Sequence, residues 1–361
     1  MASTNVIDDY SDEDVKRILE RLVLCLPNNG KLYKYRPISG DTFEKAYDAL
    51  ENGYIWLSSA DKLNDDEDCI LFYDPKSEAV ALEEYIESHV DLIARYSISQ
   101  TKLPQIDFFD CTTHVFDCID KETGRIKKKK ALAIFVKHGY DREKSKEFIC
   151  RIQKLIDDIL KEKTPIIQSM VDKYLQFNQI NRSRCFVHSF SETYNSNSMW
   201  ALYADSNNGF CIEYDYNKAL ELPTDIQKTL ICTYKTIYKE EKEPFSFIGI
   251  LDFVFKNQQN GEDYKKANYD FMTKMITKRS DWSYEKEWRI FLTEVENRLN
   301  ADIVSAIIID ERIIDAENAK KLIDLCRLRG WDVKVRMKNR IQTDHEFIPY
   351  TEWKNRRKKN A

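Results

Sequence analysis

Residues 281–291, Asp-Trp-Ser-Tyr-Glu-Lys-Glu-Trp-Arg-Ile-Phe, set Glu285, Glu287 and Arg289 among the aromatics Trp282, Tyr284 and Trp288. Read as a strand, Glu285, Glu287 and Arg289 share one face and Tyr284, Trp288 and Ile290 share the other. A polar row backed by an aromatic wall is a way to hold a carboxylate rigidly beside a bound ligand. Read as a helix, Glu285 and Arg289 are an i,i+4 surface pair worth about 0.3–0.5 kcal/mol, with no function attached. Both readings stay open on these residues alone.

Other chemistry-bearing groups are more ambiguous. Arg36 precedes Pro37 at a strand end, a setting that suits either a rim ion pair or an anion contact. Asp65, Asp66, Glu67 and Asp68 supply oxygen ligands for a divalent cation, but consecutive carboxylates do not all face one point, and capping a turn is the simpler use. His188 sits in a strand-like segment, where a satisfied structural histidine competes with a general base. The nine cysteines show no C-x₂₋₄-C spacing and the five histidines no H-E-x-x-H, so neither a zinc site nor a disulfide framework is expected.

The elements that must position these groups follow from periodicity. An acidic cluster precedes a short amphipathic helix beginning at Val15, and Pro27-Asn28-Asn29-Gly30 ends it. Leu32–Arg36 alternates as a strand. Asp41 or Thr42 is a candidate N-cap for a helix over Phe43–Asn52, Gly53 is its stop, and Tyr54–Ser59 is a second strand. Long charged helical patterns over Val80–Ser97, Arg142–Lys161 and Ile166–Phe177 suggest a helical insertion at about 76–180. Its basic run Arg125–Lys130 reads as a solvated face or a nucleic-acid contact. Strands are predicted over Cys185–Ser191, Gly209–Tyr214 and Leu230–Tyr238, with a helix over Ser198–Ala204. Helices follow over Pro244–Lys256 and Tyr264–Lys278, and the chain closes strand (Ile303–Ile309), helix (Ala316–Arg329), strand (Asp332–Arg336). The fold class is α+β with a mixed, mainly antiparallel sheet. The expected organisation is an N-terminal acidic and helical segment over 1–30, one α+β domain over 31–340 and a basic C-terminal tail over 341–361.

Composition bounds the function. The chain has 361 residues, 42% hydrophobic and 32% charged, with a formal net charge of −5, so it is not as a whole a trap for polyanions. No run approaches the roughly 20 apolar residues of a membrane span, and the N-terminus has neither a basic nor an apolar leader region. A cytoplasmic protein without a membrane partner is expected. No G-x-G-x-x-G or Walker A sequence supports a Rossmann or P-loop nucleotide site.

Five islands in order resemble the bacterial family catalogued as domain of unknown function 2971. They are Lys34-Tyr35-Arg36; Leu57-Ser58-Ser59 with Leu63–Asp68; Phe190-Ser191-Glu192; Met199–Ala204 followed by Gly209; and Trp282–Arg289. With the closing strand–helix–strand, the resemblance covers about residues 31–340. Asp66 stands where proline is expected in the Asn-Asp-Pro form of that family.

A looser resemblance is to ADP-ribosyltransferases of the Arg–Ser–Glu type. The matching positions are Arg36, then Ser189-Phe190-Ser191 (or Ser58-Ser59), then Glu285-Lys286-Glu287. Phe190 replaces the usual threonine, and about 150 residues separate Arg36 from Ser189, so the helical insertion has to loop out of the sheet. This resemblance implies an ADP-ribosyltransferase-like fold, NAD as cofactor, and a protein or nucleic-acid acceptor. It also implies a biological role such as a toxin or a phage-defence effector. On that mapping the catalytic residues are Glu287, Glu285 and Arg36. Glu287 stabilises positive charge on the ribose as the nicotinamide bond breaks. Glu285 positions or deprotonates the acceptor, and Arg36 forks onto the pyrophosphate. The cofactor-binding set is Arg36, Ser58, Ser189, Ser191, Trp200 and Tyr203, the last two as stacking rings. Two alternatives remain. One is a metal-dependent nucleic-acid-processing enzyme built on residues 65–68, and the other is a non-catalytic ligand-binding or interaction module.

Overall fold

The computed structural model describes residues 10–72, 74–89, 117–120, 123–245, 262–293, 297–338 and 344–360. Among them thirteen strands form: β1 (Lys31–Pro37), β2 (Ile55–Trp56), β3 (Ser58–Ser59), β4 (Cys185–Ser191), β5 (Gly209–Asp215), β6 (Thr233–Lys235), β7 (Ile237–Lys239), β8 (Thr277–Arg279), β9 (Glu287–Thr293), β10 (Arg298–Leu299), β11 (Val304–Asp310), β12 (Asp332–Lys338) and β13 (His345–Pro349). Nine of them make one sheet in the order β13-β12-β11-β5-β1-β4-β9-β6, with β3 also on β4. Its pairs are antiparallel except β11 with β12, so the expected α+β class with a mainly antiparallel sheet holds. The chain divides into two compact units. One is Met1–Ile70, Ile180–Glu243 and Met272–Ala361; the other is Leu71–Gln179 with Pro244–Phe271.

The sheet unit is covered on both faces, which is why β9 is buried at all seven positions. One face presents Leu32, Phe210, Ile212, Tyr214, Ile290 and Ile307 to the main core, under the helices Asp12–Cys25, Gly40–Asn52 and Glu317–Arg329. The other presents Tyr33, Tyr35, Cys211 and Ile308 to the short helix Asn197–Tyr203 through Met199 and Trp200. Gly209 opens β5 because a Cβ there would lie 2.2 Å from the Arg36 carbonyl oxygen and 2.8 Å from Ala204. Only a glycine lets β1 and the 204 turn approach so closely.

Several elements sit where periodicity puts them. Arg142–Lys161, capped by the Asp141 side chain, and Cys185–Ser191 match residue for residue. Others differ for identifiable reasons. The helix before Gly53 starts at Gly40 behind Ser39, ahead of the two capping candidates Asp41 and Thr42. The expected strand over Tyr54–Ser59 is two short ones because buried Leu57 turns the chain between different partners, β10 for β2 and β4 for β3. The Leu230–Tyr238 strand is the end of the helix Thr224–Leu230 followed by β6 and β7. The expected basic tail is β13, an edge strand, and a helix over Tyr350–Asn360 that buries Trp353. In the second unit the helices Pro75–Ser88, Lys128–Lys137 and Arg142–Lys161 form, the latter two around Ala131, Phe135, Phe148, Ile149, Ile152 and Ile156. Lys128–Lys130 of the basic run are an exposed first turn. The far end of the Val80–Ser97 pattern and most of Pro244–Lys256 lie outside the described residues.

Candidate active site

β4 is fully paired with β9 along one edge, but its other edge is shared. β1 meets it at a single position, Tyr33 opposite Ser191, while β3 takes Val187 and Phe186 at the far end. Between those contacts His188, Ser189 and Phe190 have no ladder partner on that side. The Lys34 ammonium reaches across instead and donates to the Ser189 carbonyl oxygen at 2.5 Å.

A cavity of about 310 Å³ occupies this opening, and all of its lining residues belong to the sheet unit. Arg36, Ser58, Ser189, Ser191, Tyr203, Glu285 and Glu287, seven of the eight residues singled out from sequence, line it. They reach it from both faces of the sheet. By register Lys34 and Arg36 pair with Ile212 and Phe210 and belong to the main-core side, whereas Ser191 pairs with Glu287 on the other. Trp200 is the exception. It is fully buried, its indole N–H donates to the Tyr194 carbonyl at 2.8 Å, and Arg336 lies 4.6 Å over its ring. It anchors the helix that presents Tyr203 and offers no face to a ligand.

The carboxylate wall is a buried ionic network. Residues 280–285 form a 3-10 turn, Lys286 takes a left-handed conformation, and β9 begins only at Glu287. Glu285 is therefore not on the strand face assigned to it, although Glu287 and Arg289 do share one face. Arg289 forks onto Asp68 at 2.7 and 2.6 Å and reaches Glu287 Oε2 at 2.8 Å. Lys278 stands 2.7 Å from Glu285, 3.5 Å from Glu287 and 3.7 Å from Asp68, with its ammonium 4.6 Å from the centre of the Trp282 ring. The Tyr203 hydroxyl donates to the other Glu285 oxygen. Ser191 donates to the Glu285 backbone carbonyl at 2.8 Å, so its hydroxyl positions that turn.

These contacts drive the two glutamates apart. Burial opposes ionisation of Glu287, but the adjacent Arg289 and Lys278 outweigh it and hold its carboxyl below the ordinary glutamate value. Burial and the Glu287 charge raise Glu285. Two carboxyl groups so separated are the usual preparation for unequal roles in acid–base or charge-stabilising chemistry. Only Glu287 Oε2 is engaged; among the described residues Oε1 has no hydrogen-bond partner.

The opposite wall is cationic. Among the described residues the Arg36 guanidinium has no hydrogen bond or ion pair, and burial lowers its affinity for its proton. Beside it His188 is buried, with Nδ1 2.8 Å from the Trp56 carbonyl oxygen and Nε2 unpartnered. That contact fixes the proton on Nδ1, and burial together with Lys34 keeps the ring neutral.

Sequence reasoning missed Lys278, which closes β8 onto the carboxylates and reads in sequence as one more lysine at a helix end. It named Asp68 only as part of an acidic run. In the structure Asp65 caps the turn by accepting from the Glu67 N–H, and Asp66 and Glu67 are exposed. Left-handed Cys69 turns Asp68 alone inward. Among the described residues no group of three or more His, Cys, Asp or Glu side chains converges as metal ligands.

The model of a family described as protein of unknown function (DUF2971) matches residues 199–290, about a quarter of the chain. That segment runs from Met199 through β5 to β8 and into β9, and includes Tyr203, Lys278, Glu285, Glu287 and Arg289. It is narrower than the 31–340 span over which the islands resemble the family. No curated protein and no solved structure matches the chain. No helix among the described residues is long and apolar enough to cross a membrane.

Proposed function

We propose that the cavity binds NAD and breaks its nicotinamide–ribose bond, passing the ADP-ribosyl group to a protein or nucleic-acid acceptor. The observation that carries this reading is that one cavity is lined both by Arg36 and by Glu287, and that among the described residues the Arg36 guanidinium and Glu287 Oε1 have no partner. A planar guanidinium without a protein partner suits a pyrophosphate, which takes two parallel N–H donors. A carboxylate kept ionised by two cations suits the positive charge that builds on the ribose as the bond to nicotinamide lengthens. Lys278 and Arg289 fix Glu287 Oε2 and leave Oε1 as the atom that meets the sugar. Glu285, with its raised proton affinity, is suited to take a proton from the acceptor. Ser58 and Ser189 supply hydroxyls along the wall, and Tyr203 is half-buried at its edge. Action on a macromolecule would fit a toxin or phage-defence effector.

Nicotinamide release from NAD by the full chain is the direct test, with Glu287→Gln as the comparison. Release above the heat-inactivated control that falls about 100-fold or more in the variant supports the reading, by analogy with removal of one preorganised charge stabiliser. Release that survives Glu287→Gln overturns the assignment. Tight NAD binding with no release would leave a binding module.

A further inference from the structure

The reading above leaves one nucleophile of the cavity unused. Lys34 is half-buried in its wall, and among the described residues no carboxylate stands within ion-pairing distance of its Nζ. Lys278 is the contrast, with three carboxylates within 3.7 Å. The hydrogen bond that Lys34 does make, to the Ser189 carbonyl, needs only one N–H and leaves the nitrogen lone pair available to a neutral amine. Arg36 lies two residues on along the same strand face, without a hydrogen-bond or ion-pair partner among the described residues.

We propose that Lys34 is an amine nucleophile that captures the aldehyde carbon of a phosphorylated open-chain sugar as an imine, with Arg36 receiving the phosphate. The amine adds to the carbonyl carbon, and the carbonyl oxygen leaves as water with the two amine protons. A carbon–nitrogen double bond results, and no electrons are exchanged with any other group. Burial, reinforced by Arg36, pushes the ammonium well below the ordinary lysine value, an effect that Glu287 and Glu285 offset only in part. A desolvated lysine beside another cation is the standard route to an amine that is nucleophilic at neutral pH. The inference goes beyond the transferase reading and stands without it, since it requires no nicotinamide release.

The test uses the full wild-type chain with glyceraldehyde 3-phosphate and cyanoborohydride near pH 7, which reduces any imine to a stable secondary amine located by peptide mass mapping. Lys62, an exposed lysine lining the same cavity, is the internal control. Labelling of Lys34 at least tenfold over Lys62 is expected, with its half-maximal pH below that of Lys62. Inorganic phosphate, or Arg36→Ala, should lower labelling at Lys34 and leave Lys62 unchanged. A lysine that merely spans the sheet opening would be labelled no faster than its exposure allows, and equal or lower labelling than Lys62 overturns the proposal. Labelling at Lys34 that neither phosphate nor Arg36→Ala reduces overturns the assignment of a phosphorylated substrate.

Discussion

The two walls of the cavity solve opposite problems with the same residue types. On the carboxylate wall Asp68, Glu285 and Glu287 are matched against Lys278 and Arg289, so the cations are spent on protein partners and the geometry is rigid. On the other wall, among the described residues, Lys34 hydrogen-bonds only to a backbone carbonyl and Arg36 has no hydrogen bond or ion pair. A buried charge that is paired and hydrogen-bonded contributes to holding its neighbours in place, whereas one left without a partner is a cost the fold carries. The paired wall is therefore where substitution should damage the fold, and the unpaired wall is where it should damage binding.

Asp68→Ala is the severest test of that contrast. It strips the buried Arg289 of its two-donor partner, and a loss of about 3 kcal/mol is expected, near the low end for a broken buried pair because Glu287 keeps one contact. Chemical denaturation of both proteins measures it; a change under about 1 kcal/mol would mean the network is not held as described. Gly209→Ala should follow at about 2 kcal/mol, because the new Cβ meets backbone, the Arg36 carbonyl, and cannot be relieved by a rotamer change.

The pH dependence is smaller and has a definite sign. Glu287 has its folded-state proton affinity lowered from an ordinary value of 4.5, and Asp68 from 3.8. Their stabilisation is fully present at neutral pH and is lost as pH falls through those ordinary values to the depressed ones. Melting temperature followed from pH 7 to pH 3 should therefore drop more steeply for wild type than for Glu287→Gln; parallel profiles would contradict the assignment. Arg36→Ala removes a charge that has no partner among the described residues, so it should not destabilise the fold. It should nonetheless abolish most of the affinity for a pyrophosphate-bearing ligand in calorimetry.

Much of this is legible in the sequence. Strong periodicity and punctuation located Arg142–Lys161, Cys185–Ser191 and the closing strand–helix–strand, since an amphipathic face and a left-handed glycine such as Gly330 are local properties. Arg36, Ser189, Ser191, Glu285 and Glu287 came from the looser resemblance to transferases of the Arg–Ser–Glu type. What stayed hidden depended on contacts distant in sequence or on backbone that local pattern does not encode. Which of four consecutive carboxylates turns inward is decided by the left-handed Cys69, and the displacement of Glu285 from its strand by the left-handed Lys286. Trp200 read as a stacking ring because sequence shows its size and not that Tyr35 and Arg336 already occupy its surroundings.

The lone backbone rung between β1 and β4 has a mechanical consequence. A continuous ladder resists relative sliding of two strands along its whole length, since every hydrogen bond must be broken together. Here the sheet has a seam, stitched at Tyr33 and Ser191 and braced by side chains, Lys34 onto the Ser189 carbonyl and the Tyr35 hydroxyl onto the Thr193 carbonyl. The half carrying β1, β5, β11, β12 and β13 and the half carrying β3, β4, β9 and β6 keep their own ladders intact if the seam widens. The ladders within each half are thus independent of that rung, while the core that packs Leu32, Phe210 and Ile212 with Phe190 and Ile290 spans the seam and limits how far it can open.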